Sequence, residues 1–287
     1  MEVRPEVPRR LAPQSMQEMA EVVAANEPVV LTGCLKQMSL WTTEMLEREM
    51  GDAKLPVRCF EEGGDMFRCS FFFLLSSFFL FLTSRRCRYR VVDMTLAEMK
   101  ETLASEETTR HYLAGPNLLE HSDVRVRRVM GEARAEIARM VEEESIQEVG
   151  LWMGRDGQHT QMHFDVAHNL LHVIKGRKRV VLARPADFNN MYTYTSSDAD
   201  ESMLKRMYRF SRCDFRGGAE LDFEAFPRLR RCELRVAVVN AGESLFIPLA
   251  HFHDVTSEGD TLGINVFWRP AHHEIAKYKW LKVFLDD

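Results

Sequence analysis

Residues 163–179 read HFDVAHNLLHVIKGRKR, and residues 242–255 read GESLFIPLAHFHDV. Both are apolar runs broken by Gly or Pro, which is how strands bounded by turns read. LWMG, QMHF, KRVVLA, ELRVAVV and GINVFW carry the same texture between Val149 and Trp268. Several short strands at this spacing predict a mainly β fold with flanking helices, a sandwich or barrel rather than a doubly wound sheet. The sequence carries neither a repeat of solenoid period nor a glycine-rich phosphate loop.

Upstream the pattern is helical. Ser15, with Glu18 three residues on, predicts a capped helix reaching Ala25. Val29, Val30 and Leu31, ended by Thr32 and Gly33, predict a strand and turn. A second helix follows Trp41, capped by Thr42 or Thr43, and a third, amphipathic one spans 93–104, capped by Asp93 or Thr95. Residues 123–144 read as a charged, exposed helical stretch.

The chain has 287 residues, 45% hydrophobic and 28% charged, enough to bury a core without cross-links. A net charge of −5 and the lack of a long basic block advertise no nucleic-acid partner. The cluster Arg228, Arg230, Arg231 and Arg235 reads as the wet face of a strand. Six cysteines without a CxxC pair, and an N-terminus without an apolar signal core, predict an intracellular protein, cytoplasmic or nuclear, with no structural zinc. Residues 70–83, SFFFLLSSFFLFLT, fit nothing around them and fall short of the ~20 residues of a transmembrane helix. A membrane-associated hairpin, a buried strand pair and a sequence artefact each account for the run. We favour the artefact, because Phe, Leu and Ser share pyrimidine-rich codons and a translated splice-acceptor tract reads this way; no stable membrane partner is expected.

His163 and Asp165 are two apart, so on an extended strand both side chains leave the same face and converge on one ion. A third ligand must come from elsewhere, and the later strand offers His251 and His253. Two imidazoles and one carboxylate leave three open positions on an octahedral iron, the arrangement of non-haem Fe(II) oxygenases. Alone, an HxD pair is as readily two hydrogen-bonded neighbours in a β protein.

In their order, HFD, KGRKR, GESLFIP, the histidine of HDV and GINVFW resemble the JmjC-type, cupin-like Fe(II)/2-oxoglutarate oxygenases. In that family an HxD, a KGxKR turn and a G[DE]xLFIP strand ending in the distal histidine follow one another. The resemblance is nearest the tRNA wybutosine hydroxylase branch, with the factor-inhibiting-HIF asparaginyl hydroxylase more distant. PVVLTG, WTTEML and RHYL extend it over nearly the whole chain, residues 68–88 excepted. It implies a double-stranded β-helix (jelly-roll or cupin) core over 111–270, an N-terminal extension over 1–110 with 68–88 as an anomalous insert, and a C-terminal helix over 271–287. It implies His163, Asp165 and His253 as Fe(II) ligands. His251, where relatives carry an aromatic residue, is then a pocket wall or a swapped ligand. Lys178 corresponds to the lysine that pairs with the distal carboxylate of 2-oxoglutarate; by itself it reads as an exposed lysine at a strand turn. Tyr112, Thr160 and Asn169 match positions that hydrogen-bond this co-substrate or shape its pocket. Asn265 resembles another, displaced by one position, and a one-residue slip would turn it to the other face of its strand.

The activity so implied is hydroxylation with O2 and 2-oxoglutarate, the latter decarboxylated to succinate. The substrate implied is a hypermodified guanosine, a wybutosine precursor, in tRNA. A hydroxylase of Asn, His, Lys or Arg side chains in a protein is the rival, and a non-catalytic cupin binding module the third reading. Relatives on the tRNA branch dimerise through a longer C-terminal helical part, so a homodimer is expected unless the stop at Asp287 has removed it.

Overall fold

Side chains close to the backbone set the helix ends in the computed structural model, which describes residues 6–60, 89–105, 110–194, 209–216 and 221–284. Ser15 accepts a hydrogen bond from the Glu18 amide and starts α1 (Met16–Ala25). Thr42 does the same for α2 (Thr43–Met50), and Thr95 with Glu98 forms a reciprocal capping box on α3 (Leu96–Ala104). Asp123 caps α4 (Val124–Ile137). This helix is not merely a charged, exposed stretch. Val126, Val129, Met130, Ala133 and Ile137 recur on one face at helical spacing and are buried, while its arginines point outward.

The strands are β1 (Arg9–Leu11), β2 (Val29–Thr32), β3 (Leu55–Phe60), β4 (Tyr89–Met94), β5 (Arg110–Gly115), β6 (Ile146–Gly154), β7 (His159–Phe164), β8 (His168–Ala183), β9 (Arg235–Asn240), β10 (Glu243–Ile247) and β11 (Phe252–Trp268). They form one mixed, eleven-stranded hydrogen-bonded system, and the expected jelly-roll core is present. Two long strands close it into facing walls. The first half of β8 pairs with β10 and with the second half of β11, while its second half pairs with β9 and the first half of β11. β6 then extends the first wall and β7 the second.

Gly176 sits where β8 passes from one wall to the other, at φ +77° and opposite a register irregularity between Glu258 and Leu262. A β-carbon there would collide with the Asp260 carbonyl, so only glycine fits. The KGRKR motif is therefore a bend within a continuous strand, not a turn. The bend also reverses the strand's phase. Before it the odd-numbered Asn169, Leu171 and Val173 face the interior; after it Lys178, Val180 and Leu182 do.

Between the walls Leu171, Val173, Val180, Leu182, Leu245 and Ile247 form a buried cluster. The outer face of the first wall packs on the four helices. The outer face of the second packs Phe164, Phe252 and Leu249 against Met191, Cys213, Phe215, Leu221 and Leu229 and the C-terminal α5 (His272–Ala276) with the turn that follows it. Phe164, Phe215, Phe246 and Phe252 are fully buried, each stabilising the fold by roughly 2 kcal/mol.

Arg228, Arg230 and Arg231 lie in a 3-10 turn, Pro227–Arg231, because Pro227 cannot continue a ladder; only Arg235 is on a strand. Residues 68–88 lie outside the described residues. β3 and β4, which flank them, pair directly with Phe60 opposite Tyr89. Cys34, Cys59, Cys213 and Cys232 are free thiols. No helix among the described residues is long and apolar enough to cross a membrane.

Candidate active site

His163 and His253 are cross-strand partners in the β7–β11 pairing, which places their rings 4.2 Å apart between centroids. Asp165 follows one residue beyond the end of β7 rather than on it. Its Oδ1 lies 3.8 Å from His163 Nε2 and its Oδ2 lies 3.4 Å from His253 Nε2. The three ligand atoms lie within 4.8 Å of one another, the one such cluster among the described residues. An octahedral ion with ~2.1 Å bonds has edges of about 3 Å between neighbouring donors, so a small inward movement accommodates it.

Each imidazole is oriented the same way. His163 Nδ1 meets the Gln161 carbonyl at 2.7 Å, and His253 Nδ1 meets the His251 carbonyl at 3.0 Å. A carbonyl accepts only from N–H, so each Nδ1 carries a proton and each Nε2 is turned to Asp165. Phe210 stacks on His163 at 5.1 Å and 17° and fixes that ring from the side. Burial, with the charge of His253, pushes His163 down to about 4. Burial acts to raise Asp165, but the hydrogen bond to His253 and the two imidazoles win and hold it near 2. For His253 burial acts downward and is outweighed by Asp165, so its pKa is raised. An anionic carboxylate between two imidazole nitrogens attracts a divalent cation for the same reason.

These residues border a cavity of about 230 Å³ between the walls. Tyr112 on β5, Thr160 on β7, Asn169 and Lys178 on β8 and Asn265 on β11 all line it. Tyr112 is buried, and burial, against a hydrogen bond with Thr160, pushes its hydroxyl up to about 12. Asn265 does reach the interior: its Nδ2 donates to Asn169 Oδ1 at 2.9 Å. Lys178 is only 3% exposed, and burial alone brings its pKa down to about 8. Among the described residues its ammonium makes no hydrogen bond or ion pair, so its charge is left uncompensated there. His251 is buried, does not line the cavity and is not part of the three-residue cluster.

Trp152, Glu148 and Arg209 also line the cavity without a motif to mark them, as does Phe267 of GINVFW. Glu148, Gly150 and Trp152 share one face of β6 by alternation, the only sequence signal for two of them. Arg209 and Phe210 arrive from a segment that pairs with Met162, His163 and Phe164 across more than forty residues of sequence.

A family model for the cupin-like domain matches residues 14–274. Jumonji C domain-containing protein 5 of Drosophila melanogaster is 30% identical over 121 residues, 42% of this chain and 27% of that protein. tRNA wybutosine-synthesizing protein 5 of Gallus gallus is 35% identical over 107 residues, 37% of this chain and 29% of that protein. Lysine-specific demethylase JMJ31 of Arabidopsis thaliana is 28% identical over 130 residues, 44% of this chain and 21% of that protein. The alignments thus span less than a third of each of these relatives.

Proposed function

From a chain that belongs to the cupin-like JmjC family, we propose an Fe(II)- and 2-oxoglutarate-dependent hydroxylase with His163, Asp165 and His253 as the iron ligands. The observation that carries this reading is one cavity holding both the facial cluster and a buried ammonium that has no partner among the described residues. Two neutral imidazoles and a carboxylate would hold Fe(II) and leave its remaining positions open to other ligands. When bound, the iron supplies oxidative decarboxylation of 2-oxoglutarate and hydroxylation of a C–H bond. Lys178 neutralises the distal carboxylate of the co-substrate. Tyr112, Thr160, Asn169 and Asn265 hydrogen-bond or shape its pocket, and the facing walls exclude water. With both Nε2 atoms on the metal and each Nδ1–H held by a backbone carbonyl, neither ligand histidine would serve as acid or base.

The substrate we infer first is a hypermodified guanosine in tRNA, supported by likeness to proteins named for wybutosine synthesis. A protein side-chain hydroxylase is the second reading, supported by likeness to Jumonji C domain-containing protein 5. Succinate formation from 2-oxoglutarate by Fe(II)-loaded protein, beside His163→Ala, tests both. Stimulation by bulk tRNA that vanishes in the variant supports the first, and stimulation by a peptide fraction supports the second. Absence of any turnover with iron bound leaves a substrate outside both pools or a non-catalytic cupin as the explanation.

A further inference from the structure

The β6–β11 register arranges the cavity in tiers. Trp152 stands opposite Gly263, Gly150 opposite Asn265, and Glu148 opposite Phe267. Lys178 belongs to the first tier, because a β-carbon on Gly263 would sit 3.7 Å from its Cε. Asn265, bonded to Asn169, marks the second. Glu148 and Phe267 are four residues along the strands from the first tier, roughly 13 Å at ~3.4 Å per residue. Asp165, His163 and His253 line the same cavity, and Asp165 acts electrostatically on Glu148.

The cavity is therefore bipolar. Its inner end carries Lys178, buried and without a partner among the described residues. Its outer end carries Glu148, half-buried, whose carboxylate makes no hydrogen bond or ion pair among the described residues. Burial, with Asp165 and Glu120 nearby and Arg209 opposing them, raises its pKa to about 7. A carboxylate in that position is relieved by an incoming positive charge and repelled by a negative one. The ordinary alternative, a solvated surface carboxylate, does not describe a side chain that lines the cavity beside a second carboxylate.

We propose that Glu148 is a specificity-determining residue that holds a positively charged group of the substrate, an ammonium or a guanidinium, at the outer end of this cavity. The proposal rests on the reading of the facial cluster as a metal site and of Lys178 as the co-substrate's anchor. With the inner end taken by a dianion, the group delivered to the metal comes in past Glu148, and a cation there is fixed by a charge-assisted hydrogen bond. The residue thus selects by charge, and Lys178 and Glu148 keep the two ligands from exchanging ends.

Paramagnetic broadening of proton resonances tests this on the full chain. Protein loaded with Mn(II) and saturated with 2-oxoglutarate is titrated with n-butylguanidinium and n-butylammonium, and with the neutral n-butylurea and n-butanol; Mg(II)-loaded protein gives the diamagnetic baseline. We expect broadening of the cations over the neutral probes in the wild type. Glu148→Gln should weaken the cations about tenfold, the scale of a charge-assisted hydrogen bond, and Glu148→Asp should keep the preference. Equal broadening of charged and neutral probes, or a preference that survives in Glu148→Gln, overturns the proposal. Should Mn(II) itself fail to bind, by its electron paramagnetic resonance, the metal-site reading fails and this proposal with it.

Discussion

Gly176→Ala is the change with the most to report, because one atom should disturb both the fold and the co-substrate end of the cavity. A β-carbon at φ +77° costs about 1–2 kcal/mol from backbone sterics alone. It also meets the Asp260 carbonyl, and the Thr261 methyl at 2.9 Å, inside real contact distances. A backbone oxygen moves only if the strand moves, so the total is about 2–4 kcal/mol. At about 2 °C per kcal/mol for a chain of this size, Tm should fall by about 4–8 °C. The relief available is to straighten β8, which would rotate Lys178, two residues on, out of the interior. 2-Oxoglutarate affinity of the Mn(II)-loaded protein should then fall at least tenfold in calorimetry. Mn(II) affinity should change far less, since no ligand lies on β8. A variant with the wild-type Tm and the wild-type 2-oxoglutarate Kd would refute the claim that the bend sets the phase of the strand.

Lys178→Met should stabilise the protein while it weakens 2-oxoglutarate. A base depressed to about 8 from ~10.4 leaves the fold short of its full stability below pH 8, and stability rises as pH climbs between those values. The substitution should gain up to about 3 kcal/mol at pH 7 and flatten that rise in urea titrations at several pH values; a loss of stability at pH 7 contradicts the account. Asp254, on the opposite side of β11 from its neighbour His253, accepts from His159 Nε2 at 2.8 Å with both side chains 1% exposed. Asp254→Ala should cost about 3 kcal/mol by denaturant unfolding and Asp254→Asn less; a cost below ~1 kcal/mol would make the pair incidental. Phe60 and Tyr89 are register partners, so a two-residue Asn-Gly turn can join them. Replacing 61–88 by that turn should leave Tm and Mn(II) binding at the wild-type level, and an insoluble product would show that the replaced residues are needed.

The parts of the site that can be read in the sequence are those that lie close together along it. His163 and Asp165 share the three-residue run HFD, and His253 follows the GESLFIP motif at the start of β11. Lys178 is harder. On strict alternation it leaves β8 on the face opposite Asn169, and the reading as an exposed lysine follows; only the reversal at Gly176 brings both inside. Asn265 poses the same problem, and its bond to Asn169 answers it through pairing rather than spacing. Arg209 and Phe210 are beyond any local signal, because their positions depend on bonds that Arg209 and Ser211 make to Phe164 and Met162, far away in sequence. The α4 helix shows the opposite failure. Its arginines dominate the composition, yet the five apolar residues between them decide which face is buried, and Glu136, which reads as solvated, is buried and accepts from the Gln37 amide. What escapes the sequence in each case is register. Alternation tells which residues share a face, but the partner strand decides which face is inside, and here one glycine changes that decision halfway along β8.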